Sequence, residues 1–135
     1  MALLQWTPTM SVGVRIIDEE HKQLVALINE LDEAMARGRG RDVLGKIITE
    51  LWSYAETHFA TEEMYFEKFG YEDAAAHREE HAAFLADIGR FKADFDDNTL
   101  GLSAQVMAFL SDWLKTHTTG SDKKYSACFN AHGLN

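Results

Sequence analysis

The sequence predicts an all-α fold: an up-down-up-down four-helix bundle with an N-terminal arm and a short C-terminal helical segment. Three observations predict it. The only proline is Pro8, so nothing later in the chain breaks a helix from within. Apolar residues recur at spacings of three and four through four long stretches. The links between those stretches are short, which makes neighbouring helices antiparallel. Hydrophobic residues make up 46% of the 135, enough to expect one domain with a buried core over 1–135.

Residues 1–17 read as an arm whose Trp6, Val12, Val14 and Ile16 can pack on the bundle. The first helix is expected at about 18–37, with Asp18 as N-cap and Gly38 as its stop. After the GRGR link, Asp42 can cap a second helix at about 42–68, which Gly70 ends. A third helix is expected at about 73–94, beginning near Asp73. DDNTLG (96–101) reads as a loop, and Ser103 can cap a fourth helix at about 103–117. The tail, 118–135, holds a further helical stretch near 121–130.

Charge and composition exclude several partners. A net charge of −9 disfavours nucleic acid and anionic membrane. One cysteine, Cys128, permits no internal disulfide and fits a reducing compartment. The N-terminus lacks the charged and apolar regions of a signal peptide, and no apolar run is long enough for a span. The expectation is a cytoplasmic protein without membrane insertion.

The histidines carry the chemistry. The first stripe, Leu24, Ile28, Leu31 and Met35, extends back to His21. The second, Ile47, Leu51 and Tyr54, extends to His58, Glu62 and Tyr65. The third, Phe84, Ile88, Phe91 and Phe95, extends back to His81 and His77. The fourth, Val106, Leu110, Trp113 and Leu114, extends to His117. One core histidine is usually a satisfied hydrogen-bonding residue; five, with a glutamate costly to bury unpartnered, are not so explained. The alternating helix directions bring all six side chains to one end of the bundle.

Imidazoles with a carboxylate suit iron, zinc, manganese or copper. So many donors exceed the four that zinc takes, and two metals follow. If Asp122 joins Glu62 as a second bridge, the histidines, both bridges and one bridging oxygen fill all but one of roughly twelve octahedral positions. Asp122 poses a geometric problem, since residues five apart on an α-helix point about 140° apart. For His117 and Asp122 to face one site, the backbone of HTTGSDKKY (117–125) must widen or kink near Gly120, as in a π-type turn.

HFATEE (58–63), HREEH (77–81), HTTGSDKKY, VGVRIIDEEHKQLVALINEL (12–31) and Trp6 together closely resemble the hemerythrin family over nearly the whole chain. The Trp-bearing arm resembles that of the bacterial single-domain members, the bacteriohemerythrins. The resemblance implies two non-haem iron ions (Fe2+/Fe3+) with an oxo or hydroxo bridge. His77, His81 and His117 would hold one iron, and His21 and His58 the other, with Glu62 and Asp122 bridging. Dioxygen would bind end-on as hydroperoxide at the open iron. Phe59, Trp113, Leu114 and Tyr125 would line the ligand pocket; ordinary core packing is the plainer account of the first three. Among neighbouring acids, Glu20 can accept from a ligand histidine, whereas Glu63 and the pair Glu79–Glu80 read as solvated. Cys128 and His132 read as part of the tail rather than a metal site.

The expected function is reversible dioxygen binding for transport, storage or delivery, by a monomer without enzymatic activity. An oxygen-consuming enzyme as recipient stays open. The alternatives are a single-domain oxygen or redox sensor, and a di-iron oxidase, peroxidase or nitric oxide reductase. Catalytic di-iron bundles are richer in carboxylate and carry Glu-x-x-His motifs, which this layer lacks.

Overall fold

The structure, a computed structural model, describes residues 4–118 and 120–135, so the first three residues of the arm and Thr119 lie outside it. Four long helices form the bundle: α1 (Arg15–Ala36), α2 (Gly40–Phe69), α3 (Ala74–Asp96) and α4 (Leu102–Trp113). A π-helical turn (Leu114–Thr118), a 3-10 turn (Ser121–Tyr125) and a short helix α5 (Ser126–Ala131) follow α4. There is no strand among the described residues. Packing joins α1 to α2 and α4, α2 to α3, and α3 to α4. Among the described residues no helix is long and apolar enough to cross a membrane.

Several ends differ from expectation. Helix α1 begins at Arg15, and Asp18 lies in its first turn rather than at its cap. The Asp18 carboxylate instead accepts from the Ser11 hydroxyl (2.5 Å) and the Val12 amide (2.9 Å), so it ties the arm to the helix. Because the helix starts early, Ile16 falls on its outer face, 45% exposed, and Ile17 turns inward. Helix α2 begins two residues before Asp42, and α4 begins after Gly101 rather than at Ser103. Gly70 ends α2 at φ 65, as its lack of Cβ permits.

Two apolar clusters sit at different heights. The larger contains Leu24, Ile28, Leu31, Ile47, Leu51, Phe84, Ile88, Val106 and Leu110 from the four stripes, with Trp6 of the arm packed against it. The smaller joins Val12 and Val14 of the arm with Ile17, Phe66, Tyr125 and Phe129. The order along the helices matches: on α1, His21 falls between Ile17 and Leu24; on α2, His58 and Glu62 fall before Phe66. A polar layer is therefore enclosed by apolar side chains above and below.

Candidate metal centre

The structure brings His21, His58, Glu62, His77, His81, His117 and Asp122 into that layer, each at most 3% exposed. The backbone after α4 explains how Asp122 reaches it. The π-helical turn carries His117 inward, and the 3-10 turn that follows returns Asp122 to the same side. Gly120 lies between them where a Cβ would come 2.4 Å from the Thr116 carbonyl oxygen. No other residue fits so close an approach without moving the chain.

Asp122 faces both halves of the layer. Its Oδ1 lies 2.7 Å from His77 Nε2 and 3.0 Å from His117 Nε2, while its Oδ2 lies 2.8 Å from His21 Nε2. Glu62 Oε1 lies 3.0 Å from His81 Nε2 and 3.3 Å from His58 Nε2. Two groups of converging donor atoms result: Glu62, His77, His81, His117 and Asp122 in one, His21, His58, Glu62 and Asp122 in the other. Both carboxylates belong to both groups, so each could face a cation in either one.

Apart from His21 and His58, whose Nε2 atoms pair at 3.0 Å, the donor atoms fit a cation better than they fit each other. The Nε2 atoms of His77, His81 and His117, Glu62 Oε1 and both Asp122 oxygens are buried without a hydrogen bond of acceptable geometry. Lone pairs that converge yet do not hydrogen-bond are costly to bury, and a divalent cation among them removes the cost. Burial alone would raise Asp122, but the nearby His117, His21 and His77 outweigh it and hold the carboxyl well below its ordinary range.

The outer nitrogens of three histidines are fixed by carboxylates. Glu20 of α1 accepts from His58 Nδ1 of α2 at 2.7 Å, Glu63 of α2 from His81 Nδ1 of α3 at 2.9 Å, and Glu80 of α3 from His117 Nδ1 at 2.8 Å. Thr61 and Ser121 hydroxyls donate to Glu20 and Glu80. Such a contact fixes the tautomer and leaves Nε2 free to ligate. Glu63 and Glu80 thus hold histidines as well as meeting solvent, with side chains 34% and 41% exposed; Glu79 is exposed. The missed signal is adjacency: each acid directly neighbours a stripe residue and reaches the histidine of the next helix.

Aromatic rings hold the histidines from the other side. Phe59 stacks on His81 with centroids 3.8 Å apart, and Trp113 stacks on His117 at 3.9 Å. Leu114 is buried in the larger cluster. Tyr125 is fully buried and its hydroxyl donates to Glu62 Oε2 at 2.5 Å, so it meets a carboxylate of the layer rather than solvent. Tyr54, counted from sequence as core, stacks on His58. His132 bonds the Cys128 carbonyl oxygen through Nδ1 and stacks on Phe69.

Residues 12–128 match the family model described as "Hemerythrin HHE cation binding domain". The chain belongs to the hemerythrin family. It is 32% identical over 132 residues to a bacteriohemerythrin of Stenotrophomonas maltophilia, covering 98% of this chain and 85% of that one. A bacteriohemerythrin of Methylococcus capsulatus is also 32% identical over 132 residues, with 97% and 100% covered. The crystal structure of a wild-type hemerythrin superposes with a TM-score of 0.83 at 31% identity, covering 94% of this chain and 98% of that one. As a hemerythrin-family bundle, the chain carries a His, Glu and Asp cluster able to hold a metal.

Proposed function

We propose that the buried layer is a non-haem di-iron centre that binds dioxygen reversibly, for transport, storage or delivery rather than catalysis. The observation that carries this is the sharing of Glu62 and Asp122 between the two donor groups. On this reading His77, His81 and His117 would hold one iron, and His21 and His58 the other, where the smaller donor set would leave room for a ligand. Two irons held there would supply reversible electron transfer to dioxygen. Membership of the family and the bacteriohemerythrin relatives support the choice of iron over other divalent ions.

The chain's own residues do the rest. Glu20, Glu63 and Glu80 hold three imidazoles in one tautomer, each with Nε2 facing inward. Tyr125 holds Glu62 by its second oxygen. Phe59, Leu114 and the partly buried Trp113 exclude water, which slows loss of electrons to solvent. A donor set richer in histidine than in carboxylate supports carriage over oxidation chemistry. The single cysteine supports a cytoplasmic setting.

The test is to load the protein with iron, reduce it without air, admit oxygen, and then remove it while following visible absorption. Two irons per chain are expected, with a band that appears with oxygen and vanishes without it. Rapid one-way oxidation would overturn the carrier reading. His77→Ala should lose iron; retention of two irons with unchanged oxygen binding would overturn the ligand assignment.

A further inference from the structure

Outside the seven candidate ligands, two buried side-chain hydroxyls among the described residues have no hydrogen-bond partner, those of Tyr54 and Tyr71. Tyr71 packs against the smaller cluster, on the arm side of the layer. Tyr54 belongs to the larger cluster, is 6% exposed, and stacks on His58 with centroids 5.2 Å and planes 15° apart. A phenylalanine would pack the same ring there without stranding a hydroxyl. The hydroxyl therefore costs stability unless something else accepts from it.

His58 is half of the two-histidine group, the half with the open position on the di-iron reading. We infer that the Tyr54 hydroxyl donates a hydrogen bond to the small ligand bound at the His21–His58 half, a diatomic molecule or small anion with a terminal acceptor atom. The inference rests on the di-iron reading. A tyrosine hydroxyl carries a proton it can donate and a buried one needs an acceptor. The same residue lines a surface cleft of about 380 Å³ between α1 and α2, with Gln23, Leu27, Ser53 and Thr57. Its ring thus connects solvent on one side with His58 on the other.

The probe is azide, titrated into the diferric protein by visible absorption, for the unaltered chain and for Tyr54→Phe. Both are expected to hold two irons per chain, and the variant to melt no lower than the unaltered protein. Azide affinity should fall about ten- to a hundredfold, as for loss of a hydrogen bond to a charged group. The azide stretch should shift in D2O for the unaltered protein and not for the variant. An affinity within about twofold with no isotope shift, or iron loss confined to the variant, would overturn the inference. Failure of the di-iron reading itself shows earlier, since the unaltered protein would then not hold two irons, and the inference would fall with it.

Discussion

Three acids outside the buried layer each clamp a histidine belonging to a different helix. Glu20, Glu63 and Glu80 pass from α1 to α2, α2 to α3 and α3 to the turn after α4. A helical wheel places each off its own stripe; from sequence only Glu20 reads as an acceptor for a ligand histidine, and what Glu63 and Glu80 meet does not show. The partner lies across a helix boundary that only the fold defines. Glu80 is the sharpest case, because burial alone would raise its carboxyl while His117 and Ser121 outweigh burial and hold it low. Glu80→Gln keeps the shape and removes the charge behind His117. Metal affinity is expected to fall about ten- to a hundredfold by chelator competition. Glu79→Gln, at an exposed site on the same helix, should leave it unchanged.

Among the elements, the segment after α4 does what no regular helix could. The five-residue step from His117 to Asp122 was legible as a demand for a widened backbone, and the structure answers it with a π-helical turn followed by a 3-10 turn. The capping signals were less informative. Asp18 stands where an N-cap would, yet its oxygens serve the arm, because the arm folds back and offers donors that the local pattern does not reveal. Gly120 is the residue on which the turn depends. Gly120→Ala would put a Cβ against the Thr116 carbonyl, and that oxygen is backbone and cannot swing aside. The expected cost is roughly 1–3 kcal/mol in denaturant unfolding. Displacement of Asp122 should also lower iron content below two per chain, and a variant with full stability and full iron content would show that the turn tolerates a side chain.

For the whole molecule, one buried polar layer between two apolar clusters couples stability to protons and to metal in opposite directions. The end of the bundle where the layer forms was legible, because four stripes and alternating helix directions fix it. Its closure from below was legible in part: the sequence already reads Val12 and Val14 as packing on the bundle, whereas Phe129 lies in a tail too short to show a helical period. Within the closed layer of the metal-free protein, burial pushes His58 and His117 down. For His58, Glu62 and Glu20 outweigh burial and leave it above its ordinary 6.5. For His117, Asp122 and Glu80 do the same. A histidine raised on folding contributes stability that is complete below its unfolded value and is lost as pH rises through the folded one. Asp122, lowered from 3.8, contributes stability present above that value and lost as pH falls through its folded one. The metal-free protein is therefore expected to be most stable between about pH 4 and 6.5 and to weaken as pH rises above that range. Metal requires neutral imidazoles, so the loaded protein should gain stability over the same rise as bound protons cease to compete. Thermal melting from about pH 5 to 8, with and without a chelator, measures both effects. The two curves should converge at the acid end and separate toward the alkaline end. Parallel curves would mean that the buried histidines do not carry the linkage between protons and metal.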